Sequence, residues 1–126
     1  MDRLGPPSGE RFTRDDRLHH RREFDAVYSR GVRIPGRHFV LFILPNSAGR
    51  SRLGVTLSRK VGNAVVRNLA RRRLREIFRR NRALREAGLD IVVHGRPEIA
   101  WVPLEALRSE IEKGMVRFAQ QEKRRS

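Results

Sequence analysis

Between residues 63 and 86 apolar and basic residues alternate with the period of an α-helix, and that pattern fits no other regular element. At about 100° per residue, Val66, Ala70, Leu74, Ile77, Asn81 and Leu84 fall on one side. Arg72, Arg75, Arg79 and Arg82 fall with Asn68 on the opposite side, and Arg67 and Arg71 widen that basic face. A helix of this kind must bury one face and leave the other in water. Asn63 is placed to cap its start and Gly88 to stop it. Strand patterns flank it at 52–58 and 89–94. The spacing between them is long enough for a parallel β-α-β crossover.

The rest of the chain supplies the elements needed to cover this unit. Arg21 to Arg30 reads as a short helix ended by Gly31, with Phe24, Val27 and Tyr28 on one face. Gly36 marks a bend. His38 to Leu44 reads as a strand that sends Phe39, Leu41 and Ile43 to one side and His38, Val40, Phe42 and Leu44 to the other. In Arg52 to Ser58, Leu53, Val55 and Leu57 share one side, with Thr56 and Ser58 on the other. A last helix is predicted from Pro103 to Gln120, with Leu104, Leu107, Ile111, Met115 and Phe118 as its apolar stripe. Trp101 and Pro103 read as packing at its start. The order α-β-β-α-β-α predicts an α/β fold, a two-layer α-β sandwich with a small mixed sheet and three main helices. The chain divides into a flexible lead-in over 1–16, a single α/β domain over 17–120 and a basic tail over 121–126.

Charge narrows the partner. The chain has 126 residues, with 29 Lys and Arg against 14 Asp and Glu, for a formal net charge of +15. From Arg50 to Arg85 there are 13 basic residues and one acid, Glu76. A solvated helix face mixes signs; here like charges recur at helical spacing and cost stability unless a polyanion neutralises them. Of the 29 basic residues 26 are arginine, whose planar fork pairs bidentately with phosphate and stacks on bases. A nucleic acid is the partner this implies.

Other chemistries lack their residues. Cysteine is absent, which removes disulfides, thiolate catalysis and Cys-ligated metals. His19, His20, His38 and His94 have no zinc-site spacing, and no carboxylate pair is set for acid–base work. No metal site and no catalytic residue is expected on the protein. No apolar run approaches the ~20 residues needed to span a bilayer, and the first residues do not read as a signal peptide, so no membrane partner is expected and a cytoplasmic location is the default. Composition alone leaves open a structural RNA-binding protein, such as a ribosome-associated one. A DNA-binding role is disfavoured, because a lone basic helix lacks a helix-turn-helix partner or dimer zipper.

The run Ser58-Arg-Lys-Val-Gly-Asn-Ala-Val-Val-Arg-Asn-Leu-Ala-Arg-Arg-Arg-Leu-Arg-Glu76 closely resembles the signature of the bacterial ribonuclease P protein component. The upstream Arg-Glu-Phe and His-Phe-Val-Leu-Phe, and the downstream Asp-Ile-Val-Val with its Arg-Pro, resemble the family in the same order. One position departs from it: Leu69 stands where the family's Arg-Asn-Arg has its second arginine. The resemblance implies an accessory subunit of a ribonucleoprotein endoribonuclease, without an obligate protein partner. The catalytic RNA, with Mg²⁺ in the holoenzyme and no cofactor on the protein alone, would hydrolyse precursor tRNA at its mature 5′ end. It also implies a left-handed β-α-β crossover, against the general rule.

The resemblance assigns two surfaces. Arg59, Lys60, Asn63, Arg67, Asn68, Arg71, Arg72, Arg75 and Arg79 would contact the catalytic RNA. Lys60 and Asn63 lie at the helix start, where free N–H groups favour an anion, although Asn63 also serves as a plain cap. Any role of the missing arginine would fall to Arg71, Arg72 or Arg73. A cleft between the first helix and the sheet would hold the single-stranded 5′ leader. Its candidates are Phe24, Tyr28, Val40, Phe42, Thr56 and Ser58. Spacing alone reads Phe24 and Tyr28 as either core or stacking residues. Phe42 and Val40 reach the cleft if the odd-numbered face of their strand is core.

If six to ten arginines meet phosphates, RNA affinity should fall about 10³–10⁵-fold between 50 and 200 mM salt. A filter-binding titration measures this, and a log–log slope near zero would contradict the charge argument.

Overall fold

The computed structural model describes residues 13–125. Four strands form one sheet in the order β1-β2-β4-β3: β1 Val32–Pro35, β2 Phe39–Pro45, β3 Arg52–Leu57 and β4 Leu89–Gly95. β1 and β2 pair antiparallel, as do β2 and β4, while β3 and β4 run parallel. The helices are α1 Arg21–Arg30, α2 Ala64–Arg80, α3 Arg82–Arg85 and α4 Leu104–Arg125.

Alternation along the strands divides the molecule. Phe39, Leu41 and Ile43 of β2 and Ile91 and Val93 of β4 join the main core, with Ala70, Leu74, Ile77 and Phe78 of α2 and Leu107, Ile111 and Phe118 of α4. On the other side of the sheet, α1 covers Val92 with Val27, and Phe24, Tyr28, Phe42 and Leu44 pack partly buried around them. The odd-numbered face of β2 is therefore core, and the even-numbered face meets α1.

Four sequence readings are corrected. The helix expected over 63–86 is broken at Asn81, which leaves the helical conformation with φ −105° and ψ 92°. Its Oδ1 accepts from the Leu84 N–H at 3.0 Å, so the side chain caps a new turn instead of continuing the old one. The break re-aims the chain, and Leu84 still reaches the core. Second, the sequence reading places only a bend at Gly36 and no strand before it, whereas Val32–Pro35 forms β1. It is an edge strand, where Pro35 is tolerated, and the Gly36 N–H closes the hairpin on the Phe39 carbonyl at 2.9 Å.

Third, both domain margins move. Of the lead-in, residues 1–12 lie outside the described residues, but Arg14–Asp16 forms a 3-10 turn. Asp16 is buried, accepts the Thr13 N–H and pairs with Arg50, and Arg17 bridges to Leu53 at the edge of β3. At the other end α4 continues through the expected tail to Arg125. Fourth, Leu104 of the helical stripe is 42% exposed, and Trp101, expected to pack at the helix start, is 67% exposed, with Pro103 exposed beside it.

α1 is fixed on the sheet by charge. The Glu23 carboxylate accepts the backbone N–H groups of His19 and His20 at 2.8 and 2.9 Å, and its other oxygen accepts from Arg52 at 3.0 Å. Burial opposes ionisation of Glu23, but these backbone donors and Arg52 outweigh it and lower its pKa from 4.5 to about 2. A carboxylate depressed in the folded state stabilises above its unfolded pKa, and the stabilisation is lost as pH falls toward the folded value. Denaturation between pH 4.5 and 2 should show a loss on the order of 1–3 kcal/mol from this group. Glu23→Gln should lower stability at neutral pH and flatten that part of the profile; an unchanged pH slope would remove Glu23 from this role.

Candidate nucleic-acid interface

The basic surface begins where β3 ends. Ser58 caps the Arg59–Val61 3-10 turn, its Oγ accepting the Lys60 N–H at 3.2 Å. Gly62 follows with φ 149°, a conformation that suits glycine, and a Cβ there would strike Val66 at 2.8 Å. Asn63 Oδ1 then accepts the Val66 N–H at 3.0 Å, so Asn63 caps α2 as its position predicts. Arg59, Lys60 and Asn63 are exposed.

Along α2 the arginines differ in what they touch. Arg67 is half-buried and donates to the Gly62 carbonyl at 2.7 Å. Arg71 donates to Asn68 Oδ1 at 3.2 Å, while Arg72 is exposed. Arg75 is half-buried; burial lowers its pKa, and the nearby Arg17 and Arg71 cations lower it further. Arg17, on the chain segment beside β3, is thus close enough to α2 for its charge to act on Arg75. Sequence reasoning missed it, because only the bridge to Leu53 brings residue 17 to α2. Arg79 is held by Glu76, with Nη2 at 2.8 Å from Oε2, and Arg80 pairs with the same carboxylate. These two hydrogen bonds drive the Glu76 pKa down to about 2. Arg82 pairs with Glu86 at 2.9 Å. Among the described residues, exposed Arg59, Lys60 and Arg72 thus lie on the stretch before Glu76.

The second candidate surface lies on the other side of the sheet. Tyr28 and Phe42 meet edge to face, with centroids 4.7 Å apart and planes at 68°. The Tyr28 hydroxyl donates to Thr56 Oγ1 at 2.9 Å. Phe24 lies over Gly54, where a Cβ would stand 2.5 Å from its ring. Phe24, Tyr28, Phe42 and Thr56 are all half-exposed, whereas Val40 is buried. Ser58 lies past the end of β3 and is engaged in the turn that carries Lys60, so it belongs with the basic surface. Register brings two further residues to this face: Arg33 opposite Phe42, and exposed His94 opposite Val40 and Thr56. His94 was legible in the alternation of Asp90, Val92 and His94. Arg33 was hidden because β1 was not recognised.

A family model described as Ribonuclease P matches residues 12–119. A ribonuclease P protein component from Petrotoga mobilis is 39% identical over 92 residues, covering 73% of this chain and 78% of its own. Among solved structures, the ribonuclease P protein from Thermotoga maritima superposes with a TM-score of 0.69 at 35% identity, over 77% of this chain and 92% of its own. The Staphylococcus aureus protein gives 0.69 at 28% identity, over 79% and 92%.

Glu76 is the acid that withdraws Arg79 and Arg80 from the basic face. Glu76→Gln should release both, tighten RNA binding and steepen the log–log salt slope by about 1–2. Titrations at several salt concentrations read this directly, and an unchanged slope would show that the paired arginines already meet phosphate.

Proposed function

The chain belongs to the ribonuclease P protein family, and from that membership we propose how its two surfaces divide the work of a subunit in a ribonucleoprotein endoribonuclease. The Arg59–Arg75 surface holds the ribonuclease P RNA. The cleft under α1 holds the single-stranded 5′ leader of precursor tRNA. One observation carries this division: α1 and α2 lie on opposite faces of one sheet, so the protein can touch two RNA segments without either displacing the other. Family membership does not favour the alternative of a ribosome-associated structural protein.

The chemistry of each surface supports its assignment. Exposed Arg59, Lys60 and Arg72 present cations to a phosphate backbone, with Asn68 beside them as donor and acceptor. Half-exposed Tyr28 and Phe42 offer ring faces to unpaired bases, and stacking tolerates any base, as varied leaders require. In this reading Mg²⁺ and bond cleavage belong to the RNA. Asp16, Glu23, Glu76, Asp90 and Glu110 are each engaged by arginine or histidine, and among the described residues no three ligating side chains converge on a metal position.

Reconstitution tests the proposal. Protein alone should leave precursor tRNA intact, whereas protein added to its ribonuclease P RNA at low Mg²⁺ should restore cleavage at the mature 5′ end. Within that assembly Tyr28→Ala should raise Kd for leader-bearing precursor about 5–150-fold and leave mature tRNA nearly unaffected. Thermal melts of the free variant establish folding first. With folding intact, equal losses on precursor and mature tRNA would place the leader elsewhere.

A further inference from the structure

α2 carries a third surface, between its basic and buried faces. Val65, Leu69 and Arg73 recur every four residues and share one flank of the helix. Val65 is 76% exposed and Leu69 half-exposed, two aliphatic side chains inside the most basic stretch of the chain. Arg73 is turned away from solvent contacts: its guanidinium donates to the Ala100 carbonyl at 2.7 Å and to the Val102 carbonyl. Between those two carbonyls stands Trp101.

The surroundings of Trp101 are rigid and its side chain is not covered. Ala100 and Val102 are buried, with 1% and 7% exposure, and Arg73 holds the carbonyls on both sides. The indole nevertheless remains 67% exposed. An exposed aromatic on a fixed backbone loses little freedom on binding, which is the property of a contact residue. The 3-10 turn Pro97–Trp101 packs against both α2 and the Arg59–Val61 turn. The turn that carries Trp101 thus adjoins the turn bearing exposed Arg59 and Lys60.

We propose that Trp101, presented by the turn that Arg73 of α2 holds, is a stacking platform for an unpaired nucleobase of the ribonuclease P RNA. This rests on the assignment of the Arg59–Arg75 surface to that RNA. The occupant follows from the charge around the patch. A second copy would set one basic surface against another at a net charge of +15 each. A nucleobase offers a neutral ring face, and its own backbone phosphates meet the cations at the rim. Arg73 acts here as a positioning residue, fixing the turn that presents the indole.

Trp101 is the sole tryptophan, so its fluorescence reports on this position alone. On titration with the ribonuclease P RNA of the source organism, the emission should be quenched and shielded from acrylamide. Trp101→Ala should raise Kd for that RNA about 5–150-fold with the log–log salt slope unchanged, because no phosphate contact is lost. Trp101→Phe should retain most of the affinity, and circular dichroism melts should match the parent for both variants. Unchanged affinity in Trp101→Ala, or an indole still open to acrylamide in the saturated complex, would overturn the proposal. So would concentration-dependent self-association that disappears in Trp101→Ala, which would assign the patch to a second copy. A parent protein that fails to restore cleavage with the RNA would refute the functional reading itself. Restored cleavage with no effect of Trp101→Ala would refute only the platform.

Discussion

The guanidinium of Arg52 joins the three elements that define the cleft. From β3 it reaches Asp90 of β4 through Nε and Nη2, at 2.9 and 2.7 Å, and Glu23 of α1 through Nη1 at 3.0 Å. Bidentate pairing with Asp90 fixes the plane of the fork, and Nη1 then points to Glu23. Glu23 in turn holds the backbone at the start of α1. Asp90 is nearly buried and also accepts from Asn46, so removing Arg52 would leave a carboxylate with too few partners in a dry site. The height of α1 above the sheet, and with it the setting of Tyr28 over Phe42 and Thr56, depends on this network.

Much of this was legible in the residues. Period 2 in β2 and β3 and period 3.6 in α1, α2 and α4 put most core side chains on the correct face, with Leu104 exposed and Phe78 unassigned as the exceptions, because burial of one face is the strongest constraint on such elements. Asn81 was not legible: helical spacing places it on the buried side, and only its competing hydrogen bond to Leu84 shows why the helix stops. β1 escaped because four residues ending in proline carry little periodic signal, and it exists through pairing with β2. Trp101 misled because apolar character implies burial only on average, and position relative to Arg73 decides the matter here.

The same limit applies to the candidate sites. Spacing located the basic face but could not distinguish arginines that serve the fold from those open to a ligand. Arg73 and Arg96 bind backbone carbonyls, Arg52 binds two carboxylates, and Arg79 is held by Glu76. Each such arginine contributes to net charge without presenting its full fork to phosphate. The dense row of like charges on α2 is therefore less repulsive than the sequence implies below Glu76, and most repulsive near Arg71, Arg75 and Arg17.

One sheet backs both candidate surfaces. α2 meets the odd-numbered faces of its strands and α1 the even-numbered ones, so the two surfaces are backed by the same backbone. β3 connects them physically: Thr56 stands in the cleft, and only Leu57 separates it from Ser58, which caps the turn bearing Lys60. A shift of β3 along β4 by one residue would exchange its faces and disrupt both surfaces together. The parallel register from Arg52 opposite Asp90 to Leu57 opposite Gly95, locked at its start by the Arg52–Asp90 pair, holds the cleft and the basic turn at a constant separation. The six residues of β3 thereby hold the face under α1 and the basic turn in one fixed relation.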